Sequence, residues 1–200
     1  MNILRASSEA EMIAEFLNAE YRSERFCEQI KEAMDKLSLD ESIILSADMS
    51  CADENTARKN LLGEFRGYGL NRELFERFPA DVEWCICSFA NGDLKNIRYI
   101  DYSYWNKLSR GTRSPLTAAQ TILDGIEIYG QNNTGFLKAA EFIKGGGKFL
   151  RPIFLTSDFE HFVIVEGHLR MTAYALAPEC FNDIECFVGE CRSDELKNWL

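Results

Sequence analysis

The sequence predicts an α+β protein, a small mixed sheet with packed helices that follows an N-terminal helical segment. Three observations carry that expectation. Up to about residue 80 the apolar residues recur at three- and four-residue steps, the period of helices lying on a core. From residue 82 onward short runs of β-formers take over, at 82–89, 97–100, 152–155, 162–165 and 184–188. Helix starts return among them, at Ser114-Pro115 and after Gly167, so strands and helices are interleaved. The expected organisation is a helical segment over 1–80 and an α+β domain over 81–200, with one compact unit as the alternative.

Each element has its own signal. Ser8-Glu9-Ala10-Glu11 has capping-box spacing, and Met12, Ile13, Phe16, Leu17 and Tyr21 then mark an amphipathic helix. Phe26, Ile30, Ala33, Met34 and Leu37 form a second helix or extend the first. The stretch 39–49 shows no clear period. Asp53 is placed to cap a third helix that turns Ala57, Leu61, Leu62 and Phe65 inward, and Gly67 and Gly69 stop it. A short helix through Leu74 is expected to end before Pro79.

The strand at 82–89 is closed by Asn91-Gly92, a pair that tolerates the positive φ of a tight turn. Residues 97–100 form a second strand, and Ser114-Pro115 reads as a cap with proline at the first helical position, opening a helix to about Gly125. Gly145-Gly146-Gly147 breaks the chain before the strand at 152–155. Ser157-Asp158 turns it back into 162–165, whose unbroken apolar run points to burial on both faces. Leu169, Ala173 and Leu176 then keep helical spacing until Pro178, and 184–188 is the last strand.

Composition narrows the function classes. An apolar fraction of 46% and an aromatic fraction of 12% belong to a chain that folds by itself. Seven cysteines leave one over after any full pairing, and no basic, apolar leader precedes Ser7, so reduced thiols and a cytoplasmic location are expected. Nowhere does the chain carry the roughly 18 apolar residues that span a bilayer, so no membrane partner is expected. With 22 Lys+Arg against 32 Asp+Glu, the net charge of −10 disfavours general DNA binding. A small anionic ligand in a locally positive pocket remains allowed.

The stretch that concentrates chemistry is Glu166-Gly167-His168-Leu169-Arg170. A buried strand entering a helix through glycine brings the first helical N–H groups and the positive end of the dipole to one point, which attracts anions. Gly167 lets a ligand approach the backbone, and Arg170 has the fork that matches phosphate or carboxylate. Glu166 can hold a proton, a ribose hydroxyl or a metal. His168 can act as acid or base, or orient a phosphate. The chain has two histidines, His161 and His168, and both lie in this hairpin and helix. The alternative is that Glu166 and His168 only cap the helix and Arg170 lies on a solvated face.

Pro152-Ile153, a short strand, a turn, an apolar strand and then Glu166-Gly167-His168-Leu169-Arg170-Met171-Thr172-Ala173-Tyr174 resembles the signature block of the ParB and sulfiredoxin-like superfamily. The likeness is loose over 84–188 and good over 151–188. It implies a ParB/sulfiredoxin-like fold and a block that binds nucleotide phosphates. Sulfiredoxins carry a catalytic cysteine directly after the glycine, where this chain has His168. Chromosome-partitioning ParB proteins add a helix-turn-helix domain and a basic surface, and neither is visible in these 200 residues. The block is most similar to the D-G-H-x-R block of free-serine kinases, with the acid one methylene longer. That branch implies a nucleoside triphosphate, ATP or CTP, with Mg²⁺ and a small-molecule acceptor. ParB-like nuclease activity is a further alternative, set against the net charge.

Arg110-Gly111-Thr112-Arg113-Ser114-Pro115 brings two guanidiniums to another helix start, and Arg113, nearer the cap, is the residue singled out there. An ordinary capped helix with surface arginines is the competing reading. Lys144-Gly145-Gly146-Gly147-Lys148 lacks phosphate-loop spacing and precedes a strand, so a flexible connector or lid is expected. Cys85 and Cys87 should point to one face of their strand, as small buried hydrophobes more than as ligands.

The expectation is therefore a nucleotide-binding enzyme that transfers or hydrolyses a phosphoryl group. Glu166 and His168 would be catalytic, with Gly167, His168, Arg170 and Arg113 on the nucleotide. The alternative is a non-catalytic nucleotide sensor whose N-terminal helices engage a protein partner.

Overall fold

A computed structural model describes residues 1–70, 75, 77–197 and 199. The chain divides into two compact units, one made of Met1–Ala6 with Glu83–Leu200 and the other of Ser7–Val82. It is an α+β protein.

In the helical unit, helix α1 is Glu9–Tyr21, capped by Ser8, whose hydroxyl accepts from the Glu11 N–H at 3.2 Å. Helix α2, Cys27–Leu37, is separate from it and ends where Ser38 turns left-handed. A single turn, α3, covers Ser42–Leu45, and α4 covers Ala52–Arg66. Asp53 is not the cap of α4. Cys51 holds that position, and Asp53 and Glu54 lie in the first turn, where the helix dipole favours acids. Gly67, at φ 80°, ends the helix as expected. Arg58 is wholly buried and ties the irregular stretch down, donating to the Ile43 and Asp48 carbonyls and to Glu54. The short helix expected through Leu74 lies outside the described residues.

The sheet unit contains six strands: β1 Asn2–Ala6, β2 Glu83–Phe89, β3 Ile97–Arg98, β4 Ile153–Thr156, β5 Phe162–Glu166 and β6 Ile184–Glu190. Their order is β1-β2-β6-β4-β5-β3. Pairs β4·β6 and β3·β5 are parallel and the others antiparallel, so the sheet is mixed. Strand β5 is buried over its first four residues, in keeping with its unbroken apolar run. Strand β1 is exposed at every residue, and it shows why 2–6 reads poorly as a strand. An edge strand with no buried face leaves no hydrophobic period to read.

Two other differences from the sequence reading have local causes. Asn91-Gly92 does not close a hairpin. The Asp93 carboxylate accepts the Ala90 N–H at 2.9 Å and pairs with the terminal ammonium at 2.9 Å, and residues Asn91–Asn96 wind into a 3-10 helix. This carries β3 across to pair with β5. The three glycines end helix α7, Thr134–Lys144, which the sequence reading does not place. Gly146, at φ 87°, donates to Ile143 and Gly147 to Phe142, the paired bonds of a Schellman turn. A Cβ on Gly147 would lie 2.5 Å from the Phe142 ring, so any larger residue there has to displace that ring.

Helices α5 (Ser103–Leu108), α6 (Pro115–Leu123), α7 and α8 (His168–Leu176) complete the unit with the short α9, Ser193–Leu196. Helices α6 and α7 both pack on α8. Phe89, Phe154 and Phe162 from the sheet interlock edge to face or tilted, at centroid distances of 4.9–6.3 Å, and Met171 and Tyr174 of α8 join the same core. Burying side chains of this size contributes about 1.5–3 kcal/mol each, so β5 and α8 are held in a fixed frame. Among the described residues, no helix is long and apolar enough to cross a membrane.

Candidate functional site

The strand-to-helix turn forms where the sequence places it. Strand β5 ends at Glu166, Gly167 takes φ 101°, and α8 begins at His168. A Cβ at 167 would meet Pro152 Cβ at 3.1 Å and its Cα at 3.3 Å, so both the conformation and the close approach require glycine. Glycine offers no capping side chain, and the first backbone bond of the helix runs from the Met171 N–H to the Gly167 carbonyl at 2.8 Å. No side chain therefore caps the amides of the first turn from the Gly167 position.

Arg170 does not lie on a solvated face. It is 8% exposed, and its Nη1 donates to the carbonyls of Leu150 at 2.8 Å and Arg151 at 3.0 Å. Its Nη2 donates to the Glu166 carboxylate in a short, largely buried ion pair. The two charged residues of the motif thus clasp each other and pin the chain that enters β4. His168 is half-buried, and its ring stacks on Trp105 (5.0 Å, 17°) and Tyr99 (5.9 Å, 15°). Tyr99 and Trp105 are themselves stacked at 4.7 Å.

Tyr99 joins the two helix starts. Thr172 donates its hydroxyl proton to the His168 carbonyl at 2.7 Å, so in the 2.6 Å bond between Tyr99 and Thr172 the phenol is the donor. Burial raises the Tyr99 phenol well above its ordinary pKa, which keeps that proton in place. The Tyr99 backbone N–H donates to the Arg113 carbonyl at 2.8 Å. Arg113 sits in the left-handed region at φ 55°, its own N–H bonded to Ser109 Oγ at 2.8 Å. Arg110 is tied back to Thr121 at 3.0 Å and Asp124 at 2.5 Å, whereas Arg113 is bound to no carboxylate among the described residues. Its Nη1 is buried without an acceptor among the described residues.

Arg98, on β3, precedes Tyr99, and its Nη1 donates to the carbonyls of Lys95 at 2.6 Å and Ile97 at 2.8 Å. Burial and then the Arg113 charge push the Arg98 guanidinium below its ordinary pKa. Sequence reasoning passes over Arg98, Tyr99 and Trp105 as site residues. Residues 97–100 read as a strand, and nothing in linear spacing ties it to residue 168.

The net charge is unevenly shared between the units. Ser7–Val82 holds 17 Asp and Glu against nine Lys and Arg, and the remainder 15 against 13. The acidity belongs mainly to the helical unit, so the sheet unit is close to neutral. Among the described residues no group of three His, Cys, Asp or Glu side chains is placed to hold a metal ion. The Glu166 carboxylate is bound to Arg170. Cys85 and Cys87 do share a face, with sulfurs 3.4 Å apart, and burial pushes the Cys87 thiol up to about 12. All seven cysteines are free thiols. Lys144 is paired with Glu141 at 3.2 Å.

Three comparisons with known proteins find no match, whether a family model, a curated protein or a solved structure, so the likeness of 151–188 to the ParB and sulfiredoxin-like superfamily rests on those residues alone.

Proposed function

We propose that the sheet unit binds a nucleotide through its phosphates at the corner where α8 and α6 begin. The observation that carries this is the junction at Tyr99, which holds Arg113 by a backbone bond and His168 by ring contact, beside a helix start whose cap position, Gly167, has no capping side chain. In this reading Gly167 admits the phosphate to the α8 amides, and His168 and Arg113 supply side-chain donors. Arg170 acts from behind, by fixing the turn. ATP or CTP carrying its own Mg²⁺ is the proposed ligand, and phosphoryl transfer to a small molecule the proposed activity, with His168 as the proton-handling group. A reducing, cytoplasmic setting agrees with seven free thiols.

Isothermal titration with ATP, CTP, GTP and their diphosphates in Mg²⁺ tests it. Binding is expected for at least one, weakened roughly tenfold by His168→Ala or Arg113→Gln, the loss of one or two charge-assisted contacts. If no nucleotide binds, or if neither variant changes the affinity, the proposal fails.

One observation favours a second reading, a nucleotide sensor without turnover that uses the helical unit to meet a protein partner. The carboxylate of the motif is held by Arg170 and so is not disposed as a base. Nucleotide binding with no phosphate release would select this reading. Release that disappears in His168→Ala would select the enzyme.

A further inference from the structure

We propose that Tyr129 is a phosphorylation site, an acceptor for the γ-phosphoryl group of ATP delivered by a protein tyrosine kinase, and that Lys107 receives the phosphate once it is attached. The proposal does not rest on the phosphate site at α8.

Residues 123–132 form an exposed stretch, half-buried only at Ile128. Its base is fixed, by Asn133 Nδ2 donating to the Ile126 carbonyl at 3.0 Å and by Asp124 bound to Arg110 and Gln120. At the tip the Gln131 N–H donates to the Ile128 carbonyl at 3.0 Å. Between them Tyr129 and Gly130 take φ of 53° and 70°, the signs of a type I′ turn. The first central position of such a turn favours Asn, Asp or Gly, and a bulky side chain there is strained. Packing does not offset that strain, because Tyr129 is 58% exposed. Backbone strain of this kind concentrates where a side chain is presented for a task.

What the ring does touch is a cation. Lys107 Nζ lies 4.3 Å from its centroid and is bound to no carboxylate among the described residues. The Ser103 hydroxyl and then the Lys107 ammonium favour the phenolate and lower its pKa. The other tyrosines differ. Tyr21 and Tyr68 donate to Glu41 and Glu9 at 2.7 and 2.6 Å, and burial raises the phenols of Tyr99, Tyr104 and Tyr174. Tyr102 is also 58% exposed, but it holds the cap position of α5 and has no cation over its ring among the described residues. The groups that favour a negative oxygen at Tyr129 would also hold a phosphate dianion, by charge-assisted bonds from Lys107 and Ser103. Both lie on α5, so the phosphate would tie the exposed stretch to that helix. In the transfer the phenol oxygen bonds to the γ-phosphorus, the bond to the β,γ-bridging oxygen breaks, ADP leaves and the phenol proton passes to the base of the kinase.

The test treats the whole chain with MgATP and the catalytic domain of a tyrosine kinase that phosphorylates a free peptide of residues 124–134, and follows each tyrosine by tandem mass spectrometry. Tyr129 is expected to react at least about tenfold faster than Tyr102, because a strained, exposed turn opens into the extended form a kinase cleft holds more readily than a helix start does. Tyr129→Phe should lose that product. Alkaline phosphatase should then release the Tyr129 phosphate about threefold more slowly from the parent than from Lys107→Gln, the scale of one exposed ion pair, and Lys107→Arg should keep the protection. Because Lys107→Gln breaks no ion pair among the described residues, its melting temperature before phosphorylation should match the parent's, which separates loss of the phosphate contact from loss of fold. A Tyr129 that stays unmodified in the folded chain, or that reacts no faster than Tyr102, overturns the acceptor site. Equal release from the parent and Lys107→Gln overturns the role of Lys107.

Discussion

Two helix starts in the sheet unit each carry glycine and arginine, and they use them in opposite ways. At Gly167–Arg170 the arginine is consumed by the fold, its nitrogens bonded to two carbonyls and to Glu166. At Arg110–Ser114 the second arginine is held in a strained backbone by others and keeps its charge unpaired among the described residues. Spacing in a motif tells which residues meet at a turn. It does not tell which of them the fold has already occupied, and here the arginine that looks like a ligand is the clasp.

The largest expected effect tests that clasp. Arg170→Ala leaves the Glu166 carboxylate, with 19% of its side chain exposed, and the Leu150 and Arg151 carbonyls without their donor. Breaking a largely buried pair on one side costs about 3–5 kcal/mol, which urea unfolding would read as a lower midpoint at constant slope. A loss below about 1 kcal/mol, the scale of an exposed pair, would make Arg170 free for a ligand after all and erase the contrast between the α8 and α6 starts.

Gly167→Ala should come next. Its φ of 101° and the 3.1 Å approach to Pro152 mean that an added methyl meets both backbone strain and a contact. The expected cost is about 2 kcal/mol. Gly111 is also left-handed, at φ 82°, but an added Cβ there would meet nothing within 4 Å, so it should lose less on the same substitution. Unfolding of the two alanine variants side by side measures how much of the Gly167 requirement is close packing against Pro152.

How legible these helix starts are depends on the range of the interactions that build them. The Ser8 cap, the Pro115 start, β5 and the turn at Gly167 are written in neighbouring residues, and sequence alone places them. Helix α7 is equally legible through Phe136, Ala139, Ala140 and Ile143, spaced at three, four and seven, but the glycines that end it read as a break in the chain and mask the helix before them. Strand β1 leaves no period to read. Tyr99 and Trp105 reach His168 only once β3 pairs in parallel with β5, a contact across more than sixty residues that no local pattern announces.

Tyr99→Phe probes the link between the two helix starts. The ring and its stacking stay, and the bond to Thr172 at 2.6 Å is lost. About 1 kcal/mol of stability should go with it. If Tyr99 couples the two starts mainly through its ring and backbone, nucleotide affinity should change by less than about threefold, under the roughly 0.7 kcal/mol that factor represents. A drop comparable to that of His168→Ala would instead place the hydroxyl itself in the coupling.

The smallest expected effect is the most discriminating. Arg113→Gln deletes a charge that no carboxylate among the described residues compensates and that repels Arg98, while keeping the hydrogen-bonding capacity and the φ of 55°. The free energy of unfolding without ligand should therefore stay within about 0.5 kcal/mol of the parent, or rise, as for substitutions that break no partnered group. Its sign matters more than its size. A loss of about 2 kcal/mol or more, typical of breaking a satisfied buried network, would show that the fold uses Arg113 as fully as it uses Arg170. An unchanged or raised stability, beside a large loss in Arg170→Ala, assigns one arginine to the fold and leaves the other for an anion.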